Sequence, residues 1–303
     1  MIVLVTGATG FVGREVLRQL QAAGQAIRIL ARYPASSSVS EAVARYAVEV
    51  RAGNVLQPES LDDAMTGCDA VIHLVGIISE VGDQTFENVH ARATQNVVAA
   101  AKRGGVRRFL HMSALGTRPG AVSRYHRSKW AAEEAVRQSG LDWTIFRPSL
   151  IFGPQDQFVN LFARMARFSP VLPVMGPGRA KFQPVAIEDV AMCFVKALTE
   201  TRSVGQTCDL CGPDSLTMPE ILDAVLSATG RKRWKLRVPL GLARFQVACL
   251  EFVFPRLLGK APPLNRDQLT MLQEDNVGNP QPANELFGLK PIRFREGISR
   301  YLK

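Results

Sequence analysis

The apolar positions of this chain fall into short runs separated by amphipathic stretches, and the two alternate. Val3–Thr6, Ala26–Ala31, Val48–Ala52, Ala70–Leu74, Arg108–Met112 and Trp143–Phe146 are the short, mainly apolar runs. Arg14–Ala23, Leu61–Met65, Ala91–Arg103 and Lys129–Ser139 carry helical patterns between them. Such short runs bounded by helical patterns predict buried strands, and repeated strand–helix units predict a parallel sheet covered by helices on both faces. The predicted fold class is α/β, a doubly wound parallel sheet of Rossmann type with a smaller C-terminal α/β lobe. In such a sheet the ligand lies at the carboxyl ends of the strands, where the connections diverge.

The pattern changes after Pro148. Pro154, Pro170, Pro173, Gly176, Pro177 and Gly178 punctuate the chain, and the elements become short and mixed. This predicts a dinucleotide-binding core over 1–150, with part of 184–212 returning to it. Most of 151–303 then forms a substrate or partner lobe. Gly205–Gly212 reads as a strand between glycines, so Cys208 and Cys211 face opposite sides of it and no metal or redox pair is expected there. The five scattered cysteines are expected to be free thiols in a reducing compartment.

The first run is followed at once by Gly7-Ala-Thr-Gly10-Phe-Val-Gly13. A buried strand breaking into a GxxGxxG turn that opens a helix is how α/β proteins hold a dinucleotide. Gly7 allows the tight turn, Gly10 lets the backbone approach the pyrophosphate, and Gly13 lets the helix pack on the strand. Tyr125-His-Arg-Ser-Lys129 places a phenol and an ammonium four residues apart, on one face of a helix. An ammonium near a phenol is expected to lower its pKa from about 10 and fit it for proton transfer while a hydride moves. His126 points about 100° away from Tyr125 on that helix and takes no catalytic role. His73 and His111 lie in strands and are expected to be packing residues.

With these landmarks the chain resembles the short-chain dehydrogenase/reductases of the extended or atypical type. The matching segments are Gly7–Gly13, His73-Leu-Val-Gly76, Asn96–Lys102, Tyr125–Lys129, Arg147-Pro148 with Phe152-Gly-Pro154, and Pro184–Ala191. Leu264–Leu272 and Phe294–Leu302 are similar to the branch that contains the NADPH-binding accessory subunit of respiratory complex I. The resemblance implies a nucleotide held by Gly7, Thr9, Gly10, Phe11, Val12, Gly13, Arg32, Asn54, Val55, Leu74, Val75, Gly76 and Pro148, together with Tyr125 and Lys129. Asn54 is expected at the adenine edge and Lys129 at the nicotinamide ribose. The resemblance also implies a Ser or Thr after the fifth strand, where this chain has Ala114. Either Ser113 or Ser123 substitutes, or the chemistry is impaired. His90 stands where the family often has Asn.

The second strand ends Ile29-Leu-Ala31-Arg32, with no carboxylate to take ribose hydroxyls. Arg32, assisted by Arg14, suits a 2′-phosphate, so NADP(H) is favoured, with NAD(H) as the alternative. The expected function is an NAD(P)(H)-binding oxidoreductase acting on a hydrophobic carbonyl or quinone-like small molecule. A nucleotide-sugar epimerase or dehydratase is one alternative, with Arg179 and Lys181 as diphosphate contacts. The other is a non-catalytic NADPH-binding structural or assembly subunit of a membrane respiratory complex.

Charge adds a partner. Of the net +10, +8 lies between Arg231 and Lys303, with 14 Lys and Arg against 6 Asp and Glu. Arg231–Arg237 is basic, and Val238–Phe254 after it is almost wholly apolar. That segment is expected either to be buried or to contact a membrane surface or membrane complex through 231–260. Nucleic acid is not expected, because no recognised motif accompanies the charge. The first strand begins at residue 2 and no apolar run reaches 18 residues, so neither a targeting peptide nor a spanning helix is expected. The expected location is cytoplasmic, or peripheral at a membrane.

Overall fold

In the computed structural model, which describes residues 1–259 and 261–302, seven parallel strands form one sheet. In chain order they are β1 (Ile2–Thr6), β2 (Ala26–Ala31), β3 (Glu49–Ala52), β4 (Ala70–His73), β5 (Arg108–Met112), β6 (Asp142–Pro148) and β7 (Gln206–Leu210). Across the sheet they run β7-β6-β5-β4-β1-β2-β3. The order reverses between β1 and β4, which are in register from Val3 against Ala70 to Thr6 against His73. That switch point is where an open α/β sheet leaves a crevice for a ligand.

Strand alternation divides the core between the two faces of the sheet. Val5, Ile29, Ile72 and Phe146 face one side, covered by the helices Phe11–Ala22 and Ile187–Ala197. Leu4, Val71, Phe109 and Ile145 face the other, covered by Ala93–Arg103 and Arg124–Arg137. The Ala93–Arg103 helix is entered through a wide π-turn, Glu87–Arg92. Gln206–Leu210 supplies the seventh strand, which carries Cys208. Cys208 and Cys211 are both buried free thiols.

A second core gathers Phe152, Phe162, Leu172, Ile221, Val225 and Phe294 beyond the carboxyl ends of the strands. There Val171–Met175 pairs in parallel with Trp234–Val238. The apolar Leu240–Val253 helix, for which burial and partner contact were both open, is largely exposed. Only Ala243 and Val247 are buried, in a small cluster with Val238 and Leu269. Lys260, at the end of the basic and apolar 231–260 segment, lies outside the described residues.

Candidate functional site

The turn after β1 is built by contacts that leave no room for side chains. Gly7 has φ +75° and lies against the backbone of Leu74 and Val75, where a Cβ would meet carbon at 3.0 Å. A Cβ on Gly13 would collide with the carbonyls of Gly7 and Ala8. Gly10 is exposed and caps the Phe11–Ala22 helix without any side-chain hydrogen bond. The helix start therefore presents backbone N–H groups and the positive end of its dipole at an open glycine turn, and this fits a pyrophosphate. Thr9 turns its carbonyl to Arg14 Nε at 3.2 Å, Phe11 lies beside Gly153, and Val12 is buried.

Around this turn the expected nucleotide contacts are distributed as follows. Arg32 is exposed just past β2, with its guanidinium 5.2 Å from the Tyr33 ring centroid. Arg14 is occupied in the turn, reaching Gln155 at 3.4 Å and Glu41 at 3.7 Å besides Thr9. Asn54 departs from its expected role in part: its Oδ1 accepts from the Leu56 amide at 3.1 Å, so the carbonyl oxygen is spent on its own turn. The Val55 carbonyl accepts from Asn96 Nδ2 at 2.9 Å. Leu74 is buried at the end of β4 while Gly76 is exposed, and Pro148 is buried at the end of β6.

Tyr125 and Lys129 emerge from the first turns of the Arg124–Arg137 helix. Lys129 is only 2% exposed and donates to the Met112 carbonyl at 3.0 Å. A Cβ on Gly76 would lie 3.1 Å from its Nζ and 3.5 Å from His90 Nε2, so the lysine and this histidine back the Gly76 turn. Burial holds the lysine down at about 8, with Glu133 opposing the shift. Tyr125 is half-buried. Phe86 and His90 meet it edge-on, with ring centroids 5.7 and 5.2 Å away, and its hydroxyl has no hydrogen-bond partner among the described residues. Here the expectation from spacing is reversed. Burial raises Tyr125 to about 12, and the ammonium one turn away does not offset it.

His90 is locked. Its Nε2 accepts from the Ile77 amide at 3.0 Å, so the proton is on Nδ1, which donates to Ser128 Oγ at 2.8 Å. Ser128 Oγ in turn donates a hydrogen bond to the Tyr125 carbonyl at 2.8 Å. Burial and then Lys129 push His90 to about 2, so it stays neutral and orients the site without carrying charge.

Ser113 does not take the missing hydroxyl's place. It is buried, and its Oγ donates to Glu133 and approaches Thr117 Oγ1 at 3.4 Å. In the loop after β5, Met112, Ala114 and Gly116 are partly open, whereas Ser113, Leu115 and Thr117 are buried, and the Ser113 amide is fixed by the Phe146 carbonyl at 2.7 Å. Ser123 is also spent, as the buried N-cap of the Arg124–Arg137 helix accepting from the His126 amide. Glu133, one turn after Lys129, is fully buried. It accepts from Arg147 Nε at 2.8 Å and from Arg137 at 2.6 Å.

His73 is structural, as expected: it bridges Thr6 Oγ1 at 2.6 Å and Thr94 Oγ1 at 3.2 Å, and burial lowers it to about 3. His111 stacks on His73 at 5.6 Å, with neither ring nitrogen bonded among the described residues. His126 tucks beneath the Gly116 turn, 3.4 Å from Thr117 Oγ1.

One component was marked in the sequence only by the Leu264–Leu272 resemblance, with no role attached. The segment 265–279 of the lobe straps the strand-end loops together. Asn265 donates to the Ile78 carbonyl at 2.7 Å, Asp267 accepts from the Arg124 amide at 2.6 Å, and Glu274 pairs with Arg118 at 2.7 Å. Asn276 donates to the Leu115 carbonyl at 2.9 Å and accepts from Ser149 Oγ at 2.6 Å. Its backbone bonds Lys181 and Gln183. Two cavities flank the strap. One, of about 570 Å³, is lined by Arg118 and by Arg179, an expected diphosphate contact. Lys181, the other, is exposed, with its amide bonded to Asp275. The second cavity, of about 650 Å³, opens beside Leu240 and Phe245. Among the described residues no cluster of three metal-ligating side chains occurs.

Comparison with known proteins agrees with this geometry. Residues 7–166 match the family described as NAD(P)H-binding. Over 289 residues the chain is 29% identical to subunit 9 of the NADH dehydrogenase [ubiquinone] 1 alpha subcomplex of Arabidopsis thaliana, covering 91% of this chain and 71% of that one. It is 33% identical over 241 residues to the ceramide reductase of Caulobacter vibrioides, covering 78% and 74% of the two chains. A solved UDP-glucose 4-epimerase from Thermotoga maritima superposes with a TM-score of 0.77 at 19% identity, covering 99% of this chain and 98% of the other.

Proposed function

The chain belongs to the NAD(P)H-binding family, and from that premise we propose that it is an NADP(H)-dependent oxidoreductase that reduces the carbonyl of an apolar, quinone-like or lipid-like small molecule. The observation that carries this reading is the unpartnered Tyr125 hydroxyl one helical turn before a buried Lys129 that is anchored to the Met112 carbonyl at the end of β5. When bound, the nicotinamide supplies the hydride. A phenol held at about 12 is protonated at neutral pH and gives its proton readily to a more basic alkoxide, so Tyr125 acts as the acid. Lys129, fixed by the Met112 carbonyl, would hold the ribose with its remaining N–H groups. Arg32 would take the 2′-phosphate, because its guanidinium is exposed and β2 ends without a carboxylate. The name of the Caulobacter relative supports a lipid carbonyl as substrate. Independently of the substrate, the largely exposed apolar Leu240–Val253 helix supports a peripheral position at a membrane surface.

A second reading, an NADPH-binding subunit without turnover, is supported by Ala114 and by the commitment of Ser113 and Ser123 elsewhere. The test is NADPH oxidation followed at the absorbance band of the reduced ring, with quinones, ketones and enones offered as acceptors. Tyr125→Phe should lower turnover by about 10²- to 10⁴-fold while leaving NADPH affinity in place. Tight binding with no oxidation by any acceptor would favour the second reading.

A further inference from the structure

We propose that the face formed by Trp234–Val238 and Leu240–Val253 docks on the surface of an anionic phospholipid bilayer. Leu242, Phe245, Cys249 and Phe252 are all exposed and follow one another at intervals of three, four and three residues, so they form one line along the helix. The buried Ala243 and Val247 mark the other side. In the strand that leads into this helix, Trp234 is 83% and Leu236 59% exposed. Single exposed apolar residues are ordinary on a protein surface, but a row of them along a helix that follows a strand with an exposed tryptophan is not.

Charge selects the occupant. The segment 231–256 that carries this row holds seven Lys and Arg against Glu251 alone; Glu251 is paired with Arg266 at 3.0 Å, and of the cations Lys235 is paired with Asp223 at 2.6 Å. Among the described residues Arg231, Lys232, Arg237 and Arg244 have no carboxylate within 4.0 Å. Arg256 lies over the Phe252 ring at 4.0 Å, a cation resting on an apolar anchor. Aromatic anchors bordered by unpaired cations match an interface of acyl chains beneath anionic headgroups. A second copy of this chain does not fit, because a two-fold contact would set these cations against themselves. The helix, about 21 Å long by its rise, is too short to cross a bilayer and would lie along its surface.

The docked face also borders a cavity. Phe245 belongs to the exposed row and lines the cavity of about 650 Å³, as do Gln273 and Glu274. Those two residues also line the cavity at Arg118, on the loop after β5. Delivery of a lipid carbonyl along this route rests on the reductase reading. The docking does not.

The test is flotation of the full protein with vesicles of phosphatidylcholine alone or with about a third of phosphatidylglycerol added. The protein should float with the anionic vesicles only, and less of it as salt is added. The double variant Trp234→Ser/Phe252→Ser should bind at least about tenfold more weakly, with NADPH affinity and Tm unchanged, because both side chains are exposed. Lys232→Glu/Arg237→Glu should stay with neither vesicle. Four results would overturn the docking: no flotation of the wild type, flotation indifferent to the apolar pair, a dimer in light scattering that Trp234→Ser dissolves, or a preference for DNA over anionic vesicles. NADPH titration on the same samples separates the two ideas, since failure there removes the reductase and leaves flotation untouched.

Discussion

Replacing Lys129 by Met should make the nucleotide-free protein more stable at neutral pH while it abolishes turnover. The lysine is held at about 8 instead of its usual 10.5, and it is almost fully buried. Keeping that charge inside therefore costs the folded state about 3 kcal/mol at pH 7. The methionine keeps the apolar stem and loses the bond to the Met112 carbonyl, worth about 1 kcal/mol. Glu133 is not stranded, because Arg137 and Arg147 still bind it. The balance is about 2 kcal/mol in favour of the variant, or a rise in Tm of about 4 °C. The sign follows from proton counts. Between about pH 8 and 10.5 the unfolded wild type binds a proton that the folded one has released, so wild-type stability rises with pH relative to the variant. The advantage is full below pH 8, shrinks above it and reverses by about pH 10. Urea melts of both proteins at pH 7, 9 and 10 would measure it. A variant no more stable at pH 7, or a gap that ignores pH, would refute the account of a buried, desolvated ammonium.

Three further outcomes follow from the same contacts. Gly13→Ala should lose NADPH binding and about 1–3 kcal/mol of stability in a thermal melt, since its methyl group meets the backbone carbonyl of Ala8 at 2.5 Å. Arg32→Glu should weaken NADPH by about 10- to 100-fold and spare NADH in fluorescence titrations, as expected for one charged hydrogen-bond partner lost from a 2′-phosphate. Glu133→Gln should cost about 1–3 kcal/mol in denaturant melts, because Arg147 then faces a neutral amide in place of its carboxylate, while Arg137 keeps Glu134 at 3.0 Å.

The sheet and the glycine turn were legible because their signals are local: short apolar runs, and three glycines at fixed intervals after one of them. Tyr125 and Lys129 were legible by helical spacing, but the direction of the tyrosine's shift was not, because burial by Phe86 and His90 depends on residues brought in from another helix. The commitment of Ser113 was not legible for a similar reason. Ser113 sits in the loop just past β5, and its partner Glu133 lies 20 residues away on a helix. The helix Ser37–Tyr46 passed unnoticed, since its serine-rich start hides only Val39 and Ala42 in the core. For Leu240–Val253 the composition gave apolarity, but only packing could say which face is open.

The Asn276 contacts have a dynamic consequence. One side chain holds the loop after β5 through Leu115 and the loop after β6 through Ser149, while its backbone holds the lobe at Lys181 and Gln183. These three segments cannot loosen one at a time without stranding polar groups of the same asparagine. If these segments loosen together, the Asn276 and Gln183 amides exchange with deuterium at one common rate, and separate rates would show that they move apart independently. The asparagine that ties them touches none of the chemistry, so its share in the cleft is to couple the loops on which the chemistry stands.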